Sequence, residues 1–322
     1  MADPPTRPKV VVALALAPPL LDELAGCDLT MVAPDGSDQG RFRTALADAD
    51  GVLVNSNVPV DRAAMAAAPG LRVISTMSVG LDHIDLEAAA EQGIVITNTP
   101  VLSDAVADLT MALMTMLSRR LPQAMRAVAD GGWSVPLASD LAGKVLLLVG
   151  FGRIGRAVAA RALAAGMRVR YVDTMEIVPA VAGVSRAGPL AAALPDADFV
   201  SLHVDLNAET RGLMGRREFA LMKPTAYFVN TSRGAVVDQT ALTEAVTKGE
   251  IAGAGLDVLG DEPPRPDDPL LQDPNVIIVP HIGSATTETR QAMAACSVDN
   301  LLMVLRGEGD PFVVAPRRLP GH

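Results

Sequence analysis

The stretch Lys144–Gly155, KVLLLVGFGRIG, limits the possible fold more than any other part of the chain. Its apolar run Val145–Val149 suits a buried strand, and Gly150-x-Gly152-x-x-Gly155 turns that strand into an alanine-rich helix over Arg156–Ala165. Gly150 permits the sharp turn, Gly152 lets the backbone approach a pyrophosphate, and Gly155 lets helix and strand pack closely. The helix N-terminus then offers unpaired N–H groups and a positive dipole end to phosphates. A second strand over Met167–Val172 ends in Asp173. An acid roughly 20 residues beyond the glycines accepts a ribose hydroxyl and repels a 2′-phosphate. Strand, turn, helix, strand and acid in this order predict a Rossmann domain that binds NAD, with NADH preferred over NADPH.

The rest of the chain repeats the same alternation. Short apolar runs predict strands at Val10–Leu16, Leu29–Val32, Gly51–Val54, Val73–Met77 and Ile94–Thr97, with helical segments at Leu20–Leu24, Arg41–Asp48, Arg62–Ala68 and Leu86–Gln92 between them. Beyond Pro100, Ser103-Asp104 can cap a helix over Ala105–Ser118. A second helix, Pro122–Ala129, runs to Gly131-Gly132-Trp133, and the pair reads as a bridge into the second domain. Further strands are expected at Phe199–Val204, Ala226–Asn230, Ile251–Val258 and Val276–Val279, before a long helix at Thr287–Leu305. The expected fold is α/β, with two doubly wound parallel-sheet domains and a cleft between them. A flavodoxin-like substrate domain spans 1–99 and 285–322, and the Rossmann cofactor domain spans 100–284. The terminal helix returns to the first domain, and the crossings near Pro100 and Ser284 are natural hinges.

Composition excludes several alternatives. A net charge of −10 without a Lys/Arg run argues against a nucleic-acid surface. No stretch approaches the roughly 20 apolar residues of a membrane span. Cys27 and Cys296 show no metal-ligand spacing and suit a reducing, cytoplasmic setting. Leu24-Ala25-Gly26-Cys27 resembles a lipoprotein cleavage site. However, Pro18-Pro19, Asp22 and Glu23 interrupt the preceding apolar run, which reads better as a buried first strand.

Three polar clusters follow strands of the second domain: Arg233 in Asn230–Gly234, Glu262 beyond Asp257, and His281 in Pro280–Ser284. All three belong at the carboxyl edge of one parallel sheet, where a nicotinamide would lie. Reduction of a ketone by hydride needs a proton for the developing alkoxide, and histidine suits that task near neutrality. A carboxylate such as Glu262 on the other ring nitrogen favours the imidazolium, and Arg233 offers a planar fork to a 2-oxo acid. His203 also ends a strand and borders the cofactor. In the first domain, the turn within Ser75–Asp85 offers N–H groups at Ser78, Val79 and Gly80 to an anionic substrate, and Asn55 ends the neighbouring strand at the same edge.

These motifs together resemble the D-isomer-specific 2-hydroxyacid dehydrogenase family over nearly the whole chain. The resemblance rests on SVGLDHID (78–85), GFGRIG (150–155), NTSRG (230–234), GLDV (255–258) and PHIGSAT (280–286). Within the family the chain is most similar to the glyoxylate and hydroxypyruvate reductase branch, through VVDQTAL, PHIGSAT and NLLMVLRGE. The resemblance implies that Arg233, Glu262 and His281 form the catalytic set, with Arg233 and His281 touching both substrate and cofactor. It implies cofactor contacts at Gly150, Gly152, Arg153, Ile154, Gly155, Asp173, His203, Val204, Thr231, Ser232, Asp257, Gly283 and Ser284. It also implies substrate carboxylate binding by Val79 and Gly80, and a homodimer joined through the cofactor domains. No metal is implied.

The chain departs from the family pattern at three places. Asp205 stands where a proline is usual. Val172-Asp173-Thr174 replaces the arginine and small polar residues of NADPH-using reductases, and Ser134-Val135-Pro136 follows Trp133 without the second tryptophan of some hydroxypyruvate reductases. The expected activity is NADH-dependent reduction of glyoxylate or hydroxypyruvate to the D-hydroxy acid. Other specificities within the family (2-ketogluconate, phosphoglycerate, phosphite) and a nucleotide-sensing corepressor are the alternatives.

Overall fold

A computed structural model describes residues 7–175, 181–308 and 311–313. The chain forms two units, 1–102 with 286–322 and 103–285. In the first, β1 (Lys9–Val12), α1 (Pro18–Glu23), β2 (Asp28–Met31), α2 (Gln39–Leu46), β3 (Gly51–Val54), α3 (Arg62–Ala66), β4 (Val73–Thr76), α4 (Leu86–Glu91) and β5 (Val95–Thr97) alternate along the chain. Among the described residues the strands make one parallel five-stranded sheet in the order β2-β1-β3-β4-β5. This is the flavodoxin-like order, which switches direction beside β1 and β3.

Both faces of this sheet are covered, so its strands read as apolar runs without polar alternation. Val11, Val52, Val54 and Ile74 pack with residues of α2–α4 on one side, while Val10, Val12, Leu53 and Val73 face the other.

The second unit contains α5 (Ser103–Ser118), α6 (Leu121–Ala129), β6 (Val145–Val149), α7 (Arg153–Ala164), β7 (Arg168–Val172), β8 (Val184–Arg186), α8 (Leu190–Ala193), β9 (Phe199–Leu202), α9 (Arg216–Ala220), β10 (Tyr227–Asn230), α10 (Gln239–Thr247), β11 (Gly253–Leu256) and β12 (Val276–Ile278). Its described strands form a parallel seven-stranded sheet, β12-β11-β10-β9-β6-β7-β8. The order reverses between β6 and β9, which makes the crevice beyond their carboxyl ends the switch point of a Rossmann fold. Leu147, Val149, Val200, Leu202 and Phe228 build one core layer, and Leu146, Leu148, Phe199 and Val229 build the other with α5 and α7. The final helix α11 (Thr287–Arg306) belongs to the first unit, where Val298, Leu301 and Leu305 close the second face of its sheet.

Three sequence-based expectations change. α5 begins at Ser103 itself, so Ser103 and Asp104 lie in its first turn instead of capping it, and Asp104 pairs with Arg161 of α7 at 3.0 Å. Moreover, α5 is no bridge: Leu113, Met114 and Leu117 are core of the second unit. α7 likewise starts at Arg153, three residues earlier than read, because Gly152 already serves as its N-cap. Among the described residues no helix is long and apolar enough to cross a membrane.

Candidate active site

The glycine turn has the close approaches that its spacing demands. Gly150 has φ +94° and lies against the His203 carbonyl, so a side chain there would meet backbone. Gly155 packs on the Gly150 carbonyl in the same way, while nothing lies within 4 Å of where a Cβ on Gly152 would sit. The open side of Gly152 adjoins the first turn of α7, which has no side-chain cap to take up its N–H groups. A pyrophosphate fits this cradle: space where a Cβ would be, main-chain donors at Arg153 and Ile154, and a helix dipole behind them. Asp173 follows β7, and its Oδ2 accepts from Phe151 N at 2.7 Å while Oδ1 accepts from Met175 N at 2.9 Å. The carboxylate is thereby fastened to the glycine turn.

Along the same sheet edge, His203 and Val204 follow β9, and Thr231, Ser232 and Arg233 follow β10. Asn230, buried at the end of β10, shapes that turn: its Oδ1 accepts from Ser232 N (2.9 Å) and Ser232 Oγ (2.8 Å), and its Nδ2 donates to Arg233 O (3.0 Å). Thr231 Oγ1 lies 3.1 Å from Thr110 Oγ1 of α5, and Arg233 Nη1 donates to Ser232 O at 2.8 Å. His203 Nε2 lies 2.9 Å from Ser201 Oγ, whereas its buried Nδ1 has no hydrogen-bond partner among the described residues. Burial holds the ring down to a pKa of about 3, so this imidazole stays neutral.

Asp257 and His281 meet beyond β11 and β12. The Asp257 carboxylate is 2% exposed and accepts from Ile282 N at 2.7 Å and Gly283 N at 2.9 Å, while its carbonyl accepts from His281 N at 3.0 Å. Burial pushes the Asp257 carboxyl up, against the opposing pull of those N–H groups and of His281. This clamp holds the 281–283 turn, in which His281 adopts a left-handed φ of 50° and Ser284 follows. His281 Nδ1 lies 2.8 Å from Glu262 Oε2, and Glu262 Oε1 accepts from Leu259 N at 3.0 Å. Burial raises the Glu262 carboxyl, but His281, the Leu259 N–H and the Arg233 charge outweigh it and hold it below the usual glutamate range. With Nδ1 committed to Glu262, Nε2 is the ring nitrogen available to a substrate.

In the first unit, Ser78, Val79 and Gly80 form the turn after β4. All three carbonyls are tied inward: Ser78 O accepts from Thr99 N (3.0 Å), Val79 O from Asn98 Nδ2 (3.0 Å) and Gly80 O from Ser78 Oγ (2.7 Å). The N–H groups of Val79 and Gly80 donate to no acceptor among the described residues. Fixed carbonyls behind free donors are the arrangement that an anion cradle requires. Asn55 differs from that turn, since its amide is spent locally on Pro34 O (2.8 Å) and Asn57 N (2.8 Å).

The sequence model of the family described as D-isomer specific 2-hydroxyacid dehydrogenase, NAD binding domain, matches residues 111–283. The chain belongs to the D-isomer specific 2-hydroxyacid dehydrogenase family. This dehydrogenase is 45% identical over 276 residues to a protein named glyoxylate reductase from Korarchaeum cryptofilum, covering 83% of each chain. It is 41% identical to a glyoxylate/hydroxypyruvate reductase B of Escherichia coli over 96% of its own length and 98% of that protein's. Among solved structures, the NADPH-dependent glyoxylate/hydroxypyruvate reductase of Sinorhizobium meliloti, in complex with NADP and malonate, superposes with a TM-score of 0.86 at 32% identity, covering 96% and 97% of the two chains. The dehydrogenase is thus an oxidoreductase with a nicotinamide-dinucleotide domain.

Three residues at or near this edge went unread as site residues in the sequence. Asn230 was visible only as part of a motif, although an Asn directly after a strand is a turn-shaping signal. Gln239 and Asp268, whose hydrogen bond helps tie together the two ends of the loop carrying Glu262, have no local signal because their contact joins distant segments.

Proposed function

We propose that the dehydrogenase reduces small 2-oxo acids, glyoxylate and hydroxypyruvate among them, to D-2-hydroxy acids, with NADH preferred over NADPH. The observation that carries this is the His281–Glu262 pair, Nδ1 to Oε2 at 2.8 Å, on the sheet edge that also bears the glycine turn and Arg233. The substrate class follows the names of the relatives. The preference for NADH is supported by Asp173, a carboxylate fastened beside the glycine turn, where a 2′-phosphate would meet like charge.

When bound, the dinucleotide supplies a hydride at its nicotinamide. Gly150, Gly152, Gly155, Arg153 and Ile154 would hold its phosphates and Asp173 its ribose. His203, Val204, Thr231, Ser232, Asp257, Gly283 and Ser284 would line the remainder. Arg233 holds the substrate carboxylate and polarises the ketone oxygen, and the N–H groups of Val79 and Gly80 are of the kind that binds an anion. His281 Nε2 gives its proton to the oxygen as negative charge develops there, and Glu262 stabilises the imidazolium beforehand and keeps the ring oriented. In the reverse direction the neutral ring takes the proton back.

A homodimer through the cofactor unit is supported by an uncovered apolar surface. None of the α6 residues is buried, and Met125 is 67% exposed, followed along the chain by Trp133 at 85% and Leu137 at 91%. A cytoplasmic setting fits the two free thiols, Cys27 and Cys296.

The test is turnover of glyoxylate and hydroxypyruvate with NADH and with NADPH, for the wild type and His281→Ala. The expected result is NADH-linked reduction that falls by about 10²-fold or more in the variant while cofactor binding is kept. Undiminished turnover in His281→Ala would overturn the mechanism, and higher kcat/KM with NADPH would overturn the cofactor preference.

A further inference from the structure

Glu262 stands on the proline-rich loop Leu259–Asp268, and most of that loop between Gly260 and Asp268 faces solvent. Core packing fixes its flanks at Leu259 and Leu270 but not the stretch between them. One side chain joins the two ends. Gln239, the first residue of α10, accepts from Gly260 N through Oε1 at 2.8 Å and donates from Nε2 to Asp268 Oδ2 at 2.7 Å. Asp268 is buried, and its other oxygen accepts from Leu270 N at 3.0 Å. The orientation of the Gln239 amide follows from chemistry, since a main-chain N–H can only donate and an ionised carboxylate can only accept. A single amide thus joins the leading limb of the loop to its trailing limb. The amide is itself anchored, because Asp238 caps α10 through Ala241 N at 3.0 Å and Ala241, Leu242 and Ala245 are core.

The leading limb is also what aims Glu262. Leu259 N holds Glu262 Oε1 at 3.0 Å, which leaves Oε2 directed to His281 Nδ1 at 2.8 Å. Any drift of the Leu259–Gly260 peptide moves the carboxylate with it, and hydrogen bonds weaken steeply as distance and angle degrade. We propose that Gln239, together with Asp268, is a positioning residue that aims the Glu262 carboxylate at His281 and so sets the proton-transfer step without touching the substrate. This rests on Glu262 and His281 being the acid–base pair.

The test is a polarity swap. Gln239→Glu keeps shape and the acceptor for Gly260 N–H but sets one carboxylate against another, whereas Asp268→Asn sets two N–H donors face to face. The double variant Gln239→Glu/Asp268→Asn again opposes one donor to one acceptor. The expected outcome is a loss in kcat of at least about tenfold in each single variant, as for small misplacements of catalytic groups. KM for NADH stays unchanged, and the pH profile moves toward that of Glu262→Gln. The double variant regains most of the loss, a coupling that two independent structural defects would not show.

Glu262→Gln is measured in parallel. If it retains full turnover, the acid–base assignment falls, and the positioning role with it. If Glu262→Gln is impaired while Gln239→Glu keeps the wild-type kcat and pH profile, the positioning role alone is overturned. Single variants that melt earlier but turn over normally when folded overturn it in the same way. Should Gln239→Glu not fold, Asp268→Asn compared with the double variant supplies the same contrast.

Discussion

Gly234 lies directly against the Leu259 carbonyl, so close that a single added Cβ would overlap backbone atoms of Leu259 and Gly260. The turn carrying Arg233 and the loop carrying Glu262 are thereby pressed together with no side chain between them. Gly234→Ala must push one of them away, because the neighbours are backbone and cannot rotate aside. Overpacking of this kind costs about 1–3 kcal/mol. The variant is expected to unfold at lower denaturant concentration and to lose kcat as well, since Arg233 and Glu262 separate. Wild-type turnover in the folded variant would show that the two segments move independently.

Glu262 gives a pH prediction with a definite sign. A carboxyl whose folded pKa lies below its unfolded value of about 4.3 contributes stability that is complete above that value and lost as pH falls through the folded one. Partial desolvation raises the Glu262 carboxyl, but His281, the Leu259 N–H and Arg233 outweigh it and hold it below the ordinary range. The carboxylate therefore stays ionised through the whole neutral range. Glu262→Gln is expected to lower kcat by about 10–100-fold, in line with the loss of an orienting partner. The pH profile of reduction should change with it, because Gln offers no carboxylate to His281 Nδ1. A profile that keeps its position in Glu262→Gln would separate the carboxylate from the proton transfer.

Apart from β8, the strands of both sheets were legible in the sequence because buried parallel strands are near-continuous apolar runs, as in VLLLV at β6 or GVLV at β3. The same logic placed Asp173, Arg233 and His281 at strand ends, since a polar residue directly after such a run has one position relative to the sheet. Short elements with a mixed pattern escaped. β8 is an edge strand of three residues, partly exposed throughout, and α9 has five residues with Phe219 alone buried. α10 did carry its signals, Asp238 as cap and an apolar face at Ala241, Leu242, Ala245 and Val246. The bond from Gln239 to Asp268 joins a helix start to a distant loop end, and no periodicity encodes such a contact.

The uncovered face of α6 leads to a prediction about assembly. Met125 and Val128 project from a helix with no buried residue, so replacing them removes little core of their own unit. Two charges on this surface would have to be desolvated in an interface, at a cost of several kcal/mol. Met125→Asp/Val128→Asp is therefore expected to sediment as a monomer while its far-UV circular dichroism stays unchanged. A variant that still sediments as a dimer would place the interface elsewhere, and a monomeric wild type would remove the dimer altogether.

His203 connects the cofactor turn to acid stability. The residue keeps part of its surface accessible, yet its Nδ1 is shut away from solvent and partners, and the Gly150 and Gly155 turn packs on its backbone and Cβ. Burial brings its folded pKa down to about 3, whereas an unfolded histidine titrates near 6.5. Between those values the unfolded chain binds a proton that the folded chain refuses, so stability falls as pH falls, by up to about 1.4 kcal/mol per pH unit. Above pH ~6.5 both states are neutral and the effect vanishes. Glu262 and other depressed carboxylates act only where unfolded carboxyls titrate, below about pH 5, and Asp257, which burial pushes up, contributes equally to wild type and variant, so their difference isolates His203. His203→Gln keeps a polar group for Ser201 Oγ but cannot titrate. Urea unfolding of wild type and variant between about pH 5 and 6.5, without cofactor, should show the wild-type midpoint falling more steeply with acid. Parallel slopes would mean that the ring is protonated in the folded chain as readily as in the unfolded one, and the site beneath the glycine turn would then be open to water.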